Sequence, residues 1–135
     1  MTANVEVGTQ LPPLSVNLTR ETLVRYAGAS GDFNRIHYSD AAARELGLPS
    51  VLAHGMLVMG QALRVVTDWC GDPERIRSYY VRFAKPVPVP DDEEGVTVDV
   101  TAEVADVTDG VATVRLDARL GDDRVLGSAS VEVSV

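Results

Sequence analysis

The chain has 135 residues, the length of one ordinary domain, and is 45% hydrophobic and 24% charged. That balance excludes collagen, coiled coil and a wholly disordered chain. Twelve Lys and Arg against twenty Asp and Glu leave a net charge of −8, which disfavours broad nucleic-acid binding, since that affinity comes from neutralising phosphates.

A single cysteine, Cys70, can form neither an intrachain disulfide nor a cysteine cluster for zinc. Residues 1–10 lack the basic start and apolar run of a secretory leader. The apolar stretch 56–69 is broken by Gln61, Arg64 and Asp68 and falls short of the ~20 residues of a membrane span. The expectation is a cytoplasmic protein, one domain over 1–135, that does not enter a membrane.

Thr19 has the character of a helix N-cap, with Leu18 before it and Leu23 placed to close a hydrophobic staple. The helix should pass through Tyr26 and Ala27 and stop at Gly28, the residue most able to adopt a left-handed cap. Ser39 should cap a second short helix over 40–46, closed by Gly47. Between them, residues 29–38 are too rich in polar turn formers for regular structure.

A third helix should begin near Gly55. Met56, Leu57, Val58, Met59, Ala62, Leu63, Val65, Val66 and Trp69 cover most of its circumference, so it should lie buried at the centre of the fold. The period then changes to two. Tyr79, Val81 and Phe83 alternate with Tyr80, Arg82 and Ala84, before Pro86, Pro88 and Pro90 interrupt any ladder. Val96, Val98, Val100, Ala102 and Val104 share one face, and Asp109-Gly110 signals a two-residue hairpin. Ala112, Val114, Leu116, Ala118 and Leu120 form the next apolar face, and a last strand carries Val125, Ala129, Val131 and Val133. One polar face per strand predicts an antiparallel sheet covered on one side. The fold class is therefore α+β, a curved sheet wrapped around one helix.

Both histidines of the chain stand in unusual surroundings. His37 follows Asp32 by five residues within the polar loop, where the two can converge on one small volume. A carboxylate and an imidazole facing one water can orient it, take its proton and return a proton to the product. From the residues alone a plainer alternative stands beside this: Asp32 and Asn34 brace the turn, and His37 is a satisfied buried side chain. Gly55, just after His54, opens a helix whose first N–H groups lack internal partners; it suits either an oxyanion site or a tight turn. No serine-nucleophile elbow or glycine-rich phosphate loop is present, and His37 and His54 are too far apart, without a nearby cysteine, for a zinc pattern. Cys70, Met56, Met59, Tyr26 and Trp69 read first as packing residues. Arg64, Arg75, Arg77, Arg82 and Lys85 form either a solvated strand edge or a rim for the phosphates of coenzyme A or a phosphopantetheine arm.

The run Tyr26-Ala27-Gly28-Ala29-Ser30-Gly31-Asp32-Phe33-Asn34-Arg35-Ile36-His37 resembles the signature of the MaoC-like dehydratases, the (R)-specific enoyl-thioester hydratases. Ala53-His54-Gly55-Met56-Leu57 resembles that family's second landmark, the start of its central helix. Within the family, the stretch Val66-Thr67-Asp68-Trp69-Cys70-Gly71-Asp72-Pro73 is most similar to the actinobacterial (3R)-hydroxyacyl-ACP dehydratase B subunits. The resemblance implies a hot-dog fold and a dimer joined edge to edge, either a homodimer or a heterodimer with a non-catalytic hot-dog subunit. It implies reversible syn addition of water to a trans-2-enoyl thioester, carried on coenzyme A or an acyl-carrier protein, with no metal or redox cofactor. By the same resemblance Asp32 and His37 are the catalytic pair and Asn34 positions them. Gly55 offers its N–H to the thioester carbonyl, and Tyr26, His54 and Met56 line the substrate site. The alternatives are a hot-dog thioesterase or a non-catalytic acyl-binding subunit. Arg35 stands where the family usually carries proline, which would stiffen the turn; Arg35 either loosens the approach of His37 or adds a cation at the tunnel mouth.

Overall fold

The computed structural model describes residues 4–135. Met1, Thr2 and Ala3, which the expectations about 1–10 and about a 1–135 domain include, lie outside the described residues. In chain order the elements are β1 (Leu14–Leu18), α1 (Arg20–Ser30), a 3-10 turn (Arg35–His37), α2 (Asp40–Glu45), α3 (Gly55–Cys70) and a second 3-10 turn (Pro73–Arg75). Then follow β2 (Ile76–Phe83), β3 (Val96–Thr108), β4 (Val111–Leu120), β5 (Asp123–Arg124) and β6 (Leu126–Ser134).

The strands form one antiparallel sheet in the order β1-β3-β4-β6-β2, with β5 paired to β4. Helix α3 packs against both edge strands, β1 and β2, as well as β3 and β4. One helix can reach both edges only if the sheet bends around it, which is the helix-in-sheet arrangement the alternation predicted. The inward residues Val98, Val100, Ala102, Val104, Ala112, Val114, Leu116 and Ala118 are buried against Leu57, Val58, Ala62, Val65 and Val66 of α3. Each buried Val or Leu contributes roughly 1.5–3 kcal/mol, so this shared face dominates the stability. Among the described residues, no helix is long and apolar enough to cross a membrane.

Several local expectations hold. Thr19 and Thr22 form a reciprocal capping box at the start of α1, with Leu18 and Leu23 both buried beneath it. Ser39 caps α2 through Ala42 N–H. Asp109 (φ 52°) and Gly110 (φ 75°) both take positive φ, as a twisted two-residue hairpin turn requires.

Other expectations are corrected. Helix α1 does not stop at Gly28; it continues to Ser30, and Gly31 (φ 77°) is the left-handed cap, returning its N–H to the Ala27 carbonyl. Helix α3 is central but not buried all round: Met56, Gly60, Arg64 and Asp68, spaced four apart, form an exposed stripe on the side away from the sheet. The last strand is split, because Val125 and Leu126 are both buried and consecutive inward residues demand a bulge. Nor do the prolines abolish pairing. Leu52 bridges Pro88, and the bonds run from Ala53 N–H to the Val87 carbonyl and from Val89 N–H to the Val51 carbonyl, 2.9 Å each. Pro88 sits at the non-hydrogen-bonded pair, where no N–H of its own is needed. Strand β1 had no forecast from the alternation at all.

Candidate active site

The site is built where the end of α1, the loop after it and the start of α3 meet. Gly31 turns the chain out of α1, and three short side chains then hold the backbone in succession. Asp32 N–H donates to Ser30 Oγ (3.1 Å), Asn34 N–H to Asp32 Oδ1 (3.2 Å) and Ile36 N–H to Asn34 Oδ1 (3.2 Å). The last bond caps the 3-10 turn that carries His37. The turn therefore forms with Arg35 at its first position. Asn34 (φ −57°, ψ 130°) has the extended backbone that precedes a proline, so the serial side-chain bonds hold the shape that proline would stiffen.

That turn is sewn to residues 51–53. Leu52 N–H donates to the Ile36 carbonyl (2.9 Å), and His37 Nδ1–H donates to the Leu52 carbonyl (2.7 Å). A carbonyl can only accept, so the neutral His37 ring carries its proton on Nδ1 and its lone pair on Nε2. Nε2 lies 3.8 Å from Asp32 Oδ2, too far for a direct hydrogen bond, with the Asp32 side chain half exposed and that of His37 only 10% exposed. Asp32 and His37, predicted to converge, do so. The turn-bracing alternative is also true in part, because Asp32 Oδ1 braces the loop while Oδ2 faces His37.

His54, expected to line the substrate site, instead lies behind it and is 1% exposed. Its ring stacks on His37 (centroids 3.8 Å apart, planes at 21°), meets Tyr26 edge-on at 4.7 Å, and donates from Nε2 to the Asp32 backbone carbonyl (3.1 Å). Burial pushes its pKa below the usual histidine value, against the smaller opposing pull of that hydrogen bond. Asp32, His37 and His54 offer ligand atoms within 4.8 Å of one another, yet they suit a metal poorly. Imidazole lone pairs lie in the ring plane, and two stacked rings so nearly parallel cannot aim both at one ion about 2 Å away.

Gly55 is the first residue of α3, so its N–H has no acceptor within the helix and sits at the positive end of the dipole. It lines a cleft of about 210 Å³ with Phe83, Lys85, Pro86 and Val87. A Cβ at Gly55 would come within 3.1 Å of the Phe83 ring. Tyr26 lines a second groove, of about 480 Å³, between α1 and α3 with Thr22, Leu57 and Gln61. Met56 is 62% exposed on the open stripe of α3.

The basic residues do not gather into one rim. Arg77 and Arg82 lie at opposite ends of β2, separated by roughly 17 Å of extended chain, while Arg64 turns to Gln61 and Asp68 and Lys85 pairs with Asp123. Sequence reasoning missed Leu52, whose contribution is a backbone carbonyl that no side-chain pattern announces. It also missed the scaffold under the site: Asp40 Oδ1 accepts from Arg20 (2.9 Å) and from Val51 N–H (3.1 Å), tying α2 and the 51–53 segment to the start of α1. Those two donors hold the Asp40 carboxyl below its ordinary pKa. Phe83 was assigned to the phase of Tyr79 and Val81, but a register shift between Arg82 and Phe83 turns it outward, 52% exposed, over Gly55.

The chain as a whole has counterparts among known proteins. The chain is 41% identical over 80 residues to 3-hydroxyacyl-thioester dehydratase X of Mycobacterium tuberculosis, covering 58% of this chain and 28% of that protein. It is 32% identical over 131 residues to the 3-oxo-4,17-pregnadiene-20-carboxyl-CoA hydratase beta subunit of the same organism, covering 96% and 95%. A solved MaoC-like dehydratase superposes with a TM-score of 0.93 at 34% identity, over 97% of this chain and 41% of that one. The chain thus spans well under half the length of the first and third of these proteins, and nearly all of the second. The fold is the hot-dog arrangement, and with the MaoC-like domain model matching residues 3–121, the chain belongs to the MaoC-like domain family.

Proposed function

We propose that this chain is a hydro-lyase that adds water reversibly across the double bond of a trans-2-enoyl thioester, giving the (3R)-hydroxyacyl product. The observation that carries the reading is the pairing of a His37 Nε2 lone pair with Asp32 Oδ2 across 3.8 Å. That separation suits two groups sharing one water better than two groups bonded to each other. Names of relatives that denote a thioester dehydratase and a CoA hydratase support the same chemistry.

In the hydration direction, Asp32 accepts one hydrogen bond from the water and His37 Nε2 takes the other proton as the water oxygen attacks C3. Electrons move through C2 to the thioester oxygen, where Gly55 N–H meets the developing negative charge at the helix start. The proton held on His37 then returns to C2 from the same face, which makes the addition syn and leaves the site as it began. Asn34 contributes by capping the turn beneath His37. Tyr26 and Met56 border the substrate from α1 and α3. The acyl carrier is coenzyme A or a carrier-protein arm.

The sheet ends on β2, an edge strand bearing the exposed Tyr80 and Phe83. An open edge with aromatic side chains favours pairing with the β2 edge of another hot-dog subunit. The relative covered almost end to end is named as a beta subunit. Native mass spectrometry distinguishes a homodimer from a heterodimer with a second, non-catalytic subunit.

The test of the activity follows the ultraviolet absorbance of a short trans-2-enoyl-CoA with wild type and Asp32→Asn side by side. Loss of the conjugated-enoyl signal with wild type alone is expected. Equal loss with both proteins, or release of free thiol without hydration, would sink the assignment.

A further inference from the structure

The two histidines of the chain are stacked on one another, and only one of them reaches the open site. His54 is a costly residue for its position. Its Nδ1 is buried with no hydrogen-bond partner among the described residues, a loss that a leucine or phenylalanine of similar bulk would avoid. Its place has to be explained by what the rest of the ring does. Nε2–H holds the backbone carbonyl of Asp32, and the ring face lies flat under His37 at 3.8 Å. A single side chain thus touches both members of the acid–base pair from behind, one through its backbone and the other through its ring.

We propose that His54 is a positioning residue that stays neutral throughout turnover, locking the Asp32 backbone and supporting the His37 ring while His37 alone gains and loses the proton. The inference rests on the hydratase reading above. Its physical basis is that two imidazoles at this separation cannot both be charged without strong repulsion. The groups facing His54 are His37 from the 3-10 turn, the Asp32 carbonyl and carboxylate from the loop, and the Tyr26 ring edge from α1. The Tyr26 ring supplies apolar surface, and burial is the largest influence on His54, favouring its neutral form. A neutral ring face beneath His37 also favours the cation that His37 becomes when it takes the proton from water. The proton therefore has one residence.

Histidine-selective 15N NMR on the wild-type protein tests the neutrality directly, because the chain contains only two histidines. His54 should keep the neutral Nε2–H pattern as the pH is lowered through about 6.5, where an ordinary imidazole becomes half charged. If His54 becomes imidazolium in that range, the proposal is overturned whatever the activity. Kinetics then test the positioning. His54→Phe keeps a ring under His37 but removes the donor; His54→Gln keeps a donor at the Nε2 position but removes the ring. Each should lower kcat roughly 10- to 100-fold while KM changes less than about twofold, because the residue arranges the acid–base pair and does not touch substrate. Folded variants of both kinds with wild-type kcat would overturn it. A mainly raised KM would do the same, by showing direct substrate contact. Should one variant fail to fold, the other and the NMR titration still decide the question. Failure of the hydratase reading is separate, since it appears as absence of turnover in wild type itself.

Discussion

The loop over residues 31–38 and the inner face of β3, β4 and β6 are held by opposite means. The sheet face is a run of buried Val, Ala and Leu, ordered by excluded water and by a ladder that pairs every strand with its neighbour. The loop is almost wholly exposed and buries little apolar surface. It is ordered by a chain of short side-chain bonds from Ser30 to Ile36 and by the double attachment of its far end to Leu52. Damage to the first region should appear as lost stability with intact chemistry. Damage to the second should appear as lost chemistry with intact stability.

The sharpest break of that symmetry is Asp32→Asn. It keeps an oxygen able to brace Asn34 but removes the charge facing His37, so kcat should fall about 10³-fold while the urea midpoint hardly moves. A large fall in both would show that the loop and the core are not separable. The converse variant is Leu126→Ala, where a side chain 1% exposed leaves a cavity in the core. It should cost about 2–5 kcal/mol in urea unfolding, with kcat of the folded fraction unchanged.

Gly55→Ala lies at the border between the two regions. Its Cβ would press within 3.1 Å of the Phe83 ring, which is half exposed and able to yield by the few tenths of an ångström required. The expectation is a loss of about 10- to 100-fold in kcat/KM, with stability changed by less than about 1 kcal/mol. Arg35→Pro should have the smallest effect among the substitutions, and in the opposite direction. The Asn34 backbone already suits a following proline, so stability should rise by about 0.4–1 kcal/mol with activity within twofold of wild type. A strong gain in activity would mean that Arg35 does loosen the turn.

The two regions also meet in the pH dependence of stability. Because burial lowers the His54 pKa, the unfolded chain binds more protons than the folded one between the lowered value and about 6.5. Stability therefore rises with pH across that window and is lost as pH falls through it. Urea unfolding at a series of pH values should show this slope in wild type and a flatter one in His54→Gln.

Much of the candidate site was legible because it is local. Asp32, Asn34 and His37 stand within six residues of one another, so the turns of one short loop can bring them to one place. Gly55 was legible as the opening of a helix whose apolar residues announce its start. His54 was legible as unusual but was assigned the wrong side of the site, since spacing along the chain does not say which ring lies in front when two of them stack.

What the sequence determined by itself is what short-range physics decides. Period-two alternation marked β2, β3, β4 and β6, the Thr19–Thr22 box and Ser39 started two helices, and Asp109-Gly110 turned the longest hairpin. The tertiary structure decided what depends on partners far away in the chain. The Leu52 carbonyl chooses which nitrogen of His37 is free, a register shift against β6 turns Phe83 over Gly55, and enclosure by Tyr26 and His37 puts His54 out of reach of solvent. Each of these is a hydrogen bond or a packing contact made across many residues, and no local pattern encodes the direction in which a distant backbone group will point.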